Sequence, residues 1–80
     1  MDQRIFEQGL SVETTSLYLL MVSLSDRGAP LTREQMLSIW NGEEHELDQG
    51  LQDLAKRNIA VTAPDGSWML NPGSHWRRPY

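Results

Sequence analysis

The chain contains no cysteine. Disulfides and thiolate metal sites are therefore excluded, and the composition fits a reducing compartment. Long hydrophobic runs are missing too. The longest, "LYLLMV" from Leu17 to Val22, is six residues, against the roughly 20 that a membrane helix needs. The opening "MDQRIFEQG" has neither the basic start nor the apolar stretch of a secretory leader. A cytoplasmic protein with no membrane partner is the expectation. No G-x-S-x-G, phosphate-binding loop or G-x-G-x-x-G is present. A chain this short has little room for a water-excluding pocket. The expectation is a non-enzymatic protein without a cofactor. No internal repeat and no low-complexity segment occurs.

What is present describes one small domain of 80 residues, 39% hydrophobic and 22% charged, with net charge −4. A domain this small buries only about 60% of its unfolded surface. At about 0.05–0.15 kcal/mol per residue, its stability is about 4–12 kcal/mol. A protein partner or a second copy would add to that margin. Charge is unevenly placed. Residues 1–55 carry ten acidic and three basic side chains, whereas residues 56–80 carry four basic and one acidic.

Three helices are predicted. Residues 1–10 read as an arm anchored by Ile5 and Phe6. Ser11 is a suitable N-cap for a first helix, which should run to about Ser25 and stop before Gly28 and Pro30. Leu17, Leu20, Met21 and Leu24 share one face, and Val12, Tyr18, Leu19 and Val22 fill most of the rest. A helix apolar nearly all round is buried on more than one side. Leu17, Tyr18, Met21 and Val22 are the candidate face for a homodimer or another partner, unless the arm covers it. "LTREQM" sets Thr32 as N-cap and Gln35 at N3 of a second helix, a capping box, with Leu31 and Met36 placed to form a hydrophobic staple. Met36, Leu37, Ile39 and Trp40 form its apolar arc, and Gly42 is expected to close it in the left-handed conformation. The third helix, about Glu43 to Arg57, has Leu47, Leu51 and Leu54 at helical spacing. Gly50 and Ala55 are small enough to let a neighbour approach. Acids at its start and Lys56 and Arg57 at its end suit the helix dipole.

"NIAVTAPDGSWML" then reads as a hairpin. Ile59, Val61 and Ala63 alternate with Ala60 and Thr62, and Trp68 and Leu70 alternate with Met69. Pro64, Asp65 and Gly66 supply the turn. The link "APLT" is a candidate third, very short strand. The expected core is Leu20, Leu24, Met36, Leu37, Trp40, Leu47, Leu51, Leu54, Ile59, Val61, Trp68 and Leu70. Trp40→Ala is expected to unfold the domain, since losing a buried tryptophan costs about 3–5 kcal/mol.

This order of elements, the capped "LTREQMLSIW" and the ending "LQDLAKRNIAVTAPDGSWML" resemble the winged-helix branch of the helix-turn-helix superfamily, over residues 11–72. The resemblance implies an α+β fold: a three-helix bundle with a small antiparallel β-hairpin, the wing. Residues 73–80 form a basic tail. It also implies that the third helix enters the DNA major groove while the wing meets phosphates. Carried over, Gln49 and Gln52 face adenine edges, supported by Lys56, Arg57, Trp76, Arg77 and Arg78.

The charges argue otherwise. Glu43, Glu44, Glu46, Asp48 and Asp53 place five carboxylates on the would-be reading helix, and no Lys or Arg occurs from residue 58 to residue 76. DNA affinity is dominated by phosphate neutralisation. The acidic face is either a solvated surface or a docking surface for a basic protein, with Glu44, His45, Asp48, Gln49, Gln52 and Asp53 as its candidate residues. Trp76 either stacks on bases or folds back onto the domain. His45 has no second histidine at i+3 or i+4, so no metal is expected. The expected function is a regulatory module acting through protein–protein interaction. The alternative is a DNA-binding transcriptional regulator using the wing, the end of the third helix and the basic tail.

Overall fold

The computed structural model describes residues 3–77. Its elements are helices α1 (Val12–Asp26), α2 (Arg33–Ile39) and α3 (Glu44–Lys56), then strands β1 (Ala60–Thr62) and β2 (Trp68–Leu70). Short 3-10 helices at Gln3–Glu7 and Gly73–His75 flank them. Three helices and a two-stranded antiparallel sheet make an α+β chain, compatible with the winged-helix order. Among the described residues no helix is long and apolar enough to cross a membrane.

Local chemistry accounts for most boundaries. Ser11 Oγ accepts the Thr14 N–H at 3.2 Å and starts α1. Thr32 Oγ1 does the same for Gln35 at 3.1 Å and starts α2. Helices α1 and α3 end alike, in Schellman motifs. After α1, Gly28 takes φ 72°, and the Ala29 N–H reaches back to the Leu24 carbonyl at 2.9 Å. After α3, Asn58 takes φ 57°, and the Ile59 N–H reaches the Leu54 carbonyl at 2.9 Å.

The end of α2 departs from expectation. Its C-cap is Trp40, in extended conformation, and Gly42 is not left-handed. Gly42 is needed for space instead. A methyl there would lie 2.6 Å from Glu46 Oε1 and 3.0 Å from Trp40 Nε1. That same Glu46 oxygen accepts the Glu43 N–H at 2.8 Å, so α3 is capped from its own first turn.

The core lies where α1 crosses α3. Leu17, Tyr18, Met21 and Leu24 of α1 meet Leu47, Leu51 and Leu54 of α3, with Ile5, Leu31, Met36, Ile59 and Ala60 closing the sides. Gly50 admits the close approach of α1, whereas Ala55 is exposed and plays no such part. Of the expected core, Leu20, Leu37, Trp40, Trp68 and Leu70 are half-buried at its edge, and Val61 is half-buried as well. The strand phase is one residue off. Ile59 is buried as part of the helix closure, and burial then falls along β1 from Ala60 through the half-buried Val61 to the exposed Thr62. Ala60 pairs with Leu70 and Thr62 with Trp68, while Val61 pairs with the exposed Met69. The turn is as expected: Gly66 takes φ 89°, and Asp65 accepts from both the N–H and the hydroxyl of Ser67. Leu31 contributes one hydrogen bond, from the Trp68 N–H at 2.7 Å, and no third strand forms among the described residues. Of the arm, Ile5 is buried but Phe6 points outward.

Candidate functional site

The outward side of α3 is less free than its sequence suggests. Arg33, at the start of α2, grips Asp48 with Nε at 2.7 Å and Nη2 at 2.9 Å, and Nη2 also meets Glu44 at 2.6 Å. This fork-on-carboxylate geometry is the strong form of an ion pair. The Arg33 hydrogen bonds hold the Asp48 pKa below its ordinary value, with desolvation opposing them. The two carboxylates raise that of Arg33. Asp53 accepts from the Thr14 hydroxyl at 3.3 Å and from Gln49 Nε2 at 3.4 Å. Of the six docking candidates, His45 and Gln52 are exposed and make no such contact, while Glu44, Asp48, Gln49 and Asp53 already have partners within the chain. Among the described residues no cluster of three metal-ligating side chains exists.

Of the DNA candidates, Arg57 and Trp76 are engaged as well. The Arg57 guanidinium donates to the Gln8 carbonyl, which ties the N-terminal segment to the end of α3. Trp76 folds back. Its ring lies 5.7 Å from Tyr18 at 84°, an edge-to-face contact, and its Nε1–H donates to the Asn71 carbonyl at 2.9 Å. Asn58 Nδ2 donates to the His75 carbonyl at 2.9 Å, and the Arg77 N–H donates to the Arg57 carbonyl at 2.6 Å. A strap from Gly73 to Arg77 is thus bound across the end of α3. Lys56, Gln52 and the Arg77 side chain face solvent. Arg78 lies outside the described residues.

The proposed partner face on α1 is corrected. Leu17, Tyr18 and Met21 are buried within the chain and Val22 is half-buried. The reason is that α3 covers one side of α1, while Ile5 and Trp76 close others. The apolar groups of α1 that do reach solvent are Val12 and, less fully, Leu19.

A site not singled out in the sequence lies where α1 and α3 begin. Two grooves, of about 350 and 210 Å³, share Glu13 and Glu46. The larger runs between Val12 and Ser16 on one side and Trp40, Asn41 and Gly42 on the other. The smaller continues past Ser11 and Thr14 to His45 and Gln49. Trp40 donates its Nε1–H to the Glu43 carbonyl at 3.0 Å, which fixes the indole at the edge of this trough. Its residues come from segments about thirty positions apart. The one signal in the sequence was Gly42, read there as a helix stop.

No protein-family model, curated protein or solved structure matches this chain.

Proposed function

We propose that this chain is a small, non-enzymatic regulatory module of winged-helix type that docks a protein partner and does not read DNA. The winged-helix reading is supported by the element order and by the Leu31–Trp68 hydrogen bond, which lies where a first strand would join the hairpin. One observation carries the choice of partner. Three of the cationic and aromatic groups open to a DNA site are engaged inside the molecule: Arg33 on Glu44 and Asp48, Arg57 on the Gln8 carbonyl, Trp76 on Tyr18 and Asn71. Lys56 and Arg77, the candidate cations that face solvent among the described residues, do not offset the carboxylates of α3, since phosphate neutralisation dominates DNA affinity.

In this reading the protein is cytoplasmic and works without a cofactor or metal. A titration of the isotope-labelled chain with a generic DNA duplex at low salt tests it. The expected outcome is an unchanged spectrum. Salt-sensitive shifts at Lys56, the hairpin and Arg77 would overturn it in favour of a DNA-binding transcriptional regulator.

A further inference from the structure

We infer that the trough between the starts of α1 and α3 is the docking site, and that it takes a Lys- or Arg-bearing segment of a partner protein with an aliphatic residue beside the cation. The inference rests on the protein-docking reading above and names its surface and the chemistry of its partner.

Charge picks out this surface. The acids Glu44 and Asp48 share the cation Arg33, and Asp53 accepts from Thr14 and Gln49. Glu13 has no hydrogen bond or ion pair among the described residues. Glu46 bonds through one oxygen to the Glu43 N–H and forms no ion pair among the described residues. No Lys or Arg lines either groove. Two carboxylates therefore face one trough without a countercharge, in a chain of net charge −4.

Shape and polarity narrow the occupant. Glu46 Oε1 and Trp40 Nε1 both lie within 3.0 Å of the point where a Gly42 methyl would sit. That point is too tight even for a methyl, so an occupant reaches Glu46 and the Trp40 indole from the groove they line. A cation lying in the larger groove meets the carboxylates of Glu13 and Glu46, which suit guanidinium and ammonium heads. Beside it stands Val12, the most exposed large apolar residue described at 79%. Aliphatic stems of Lys and Arg pack on such surfaces while their heads stay polar. An anionic ligand would face both carboxylates, and a wholly apolar one would bury them unpaired.

The test is selection of a random peptide library displayed on phage against the full chain, followed by titration of synthetic copies of the selected peptides. The expected peptides carry Lys or Arg next to an aliphatic residue. They shift the Trp40 indole N–H, Gly42 and Val12 signals, and they weaken with salt. Glu13 is exposed in the first turn of α1, so Glu13→Lys should keep the fold and weaken these peptides roughly tenfold. Gln52→Lys, on the outward side of α3, should leave them unchanged. Peptides without a basic residue, binding that survives Glu13→Lys, an empty selection, or self-association of the chain through the trough would each overturn the inference. Peptides that map instead to the outward face of α3 would overturn it while leaving the docking reading intact. That reading falls separately, on the DNA titration.

Discussion

Gly50 on α3 faces Leu17 on α1 so closely that a methyl added to Gly50 would lie 2.8 Å from Leu17 Cδ2. Leu17 has no room to yield, because it is fully buried among the leucines of both helices. Gly50→Ala therefore sets two effects against each other. Replacing a helical glycine gains about 1 kcal/mol in propensity. Overpacking a filled core costs about 1–3 kcal/mol. The expected net is destabilisation of about 1 kcal/mol, read as a lower urea midpoint at unchanged slope. A raised midpoint would mean that the α1–α3 contact is looser than the described packing.

Trp76 packs edge-on against the buried Tyr18, and that contact defines the second prediction. The tryptophan is half-buried and carries both a ring contact and an indole hydrogen bond. Trp76→Ala should cost about 2–3 kcal/mol, below the ~3–5 kcal/mol of a fully buried aromatic. It should also release the strap, so amide exchange at Arg77, protected by the Arg57 carbonyl, should accelerate well beyond the global change. Unaltered exchange at Arg77 would show that the strap holds without its tryptophan.

Trp40, by contrast, is half-buried at the core edge, and the expectation of unfolding on its loss is revised. Trp40→Ala should cost about half the ~3–5 kcal/mol of a buried aromatic and leave a folded chain with a dispersed NMR spectrum. A collapsed spectrum would restore the original core assignment.

These cases show what could be read in advance. The start of α1, the start of α2, the turn at Pro64–Gly66 and the stop at Gly28 rest on contacts within a few residues, and such contacts are visible in the chain. The cover of α1 stayed open between the arm and a partner because it comes from Ile5 and Trp76, at opposite ends of the sequence. The ion pairing of the acidic face was hidden for the same reason. Arg33 is 15 positions from Asp48. A cation in the first turn of α2 opposes the helix dipole, and that was the available hint that a carboxylate would meet it. The strand phase slipped because Ile59 is apolar for a helix-closing reason, not a strand one.

Asn58 supports the next prediction. It is the one described non-glycine residue with positive φ, at 57°, and its side chain also holds the His75 carbonyl. Alanine pays the left-handed penalty of about 1–2 kcal/mol and loses that hydrogen bond. Glycine relieves the backbone and loses only the bond. Asn58→Ala should therefore be less stable than Asn58→Gly by about 1 kcal/mol. Equal midpoints in urea would assign the residue's role to the hydrogen bond alone.

The last prediction concerns acid. Asp48 titrates below its ordinary range because its charged form accepts the Arg33 hydrogen bonds. A carboxylate with a lowered folded pKa contributes stability above its unfolded value of about 4, and loses it as pH falls through the lower folded value. Both side chains are largely exposed, so the contribution is screened and should shrink in salt. The native chain should thus exceed Arg33→Gln in urea midpoint near neutral pH and low salt. The gap should narrow as pH falls below the ordinary carboxylate range and Asp48 is protonated, or as salt is added at neutral pH. If the gap persists under both conditions, Arg33 acts through packing of its aliphatic stem against α3, and the charge on Asp48 is incidental to the fold.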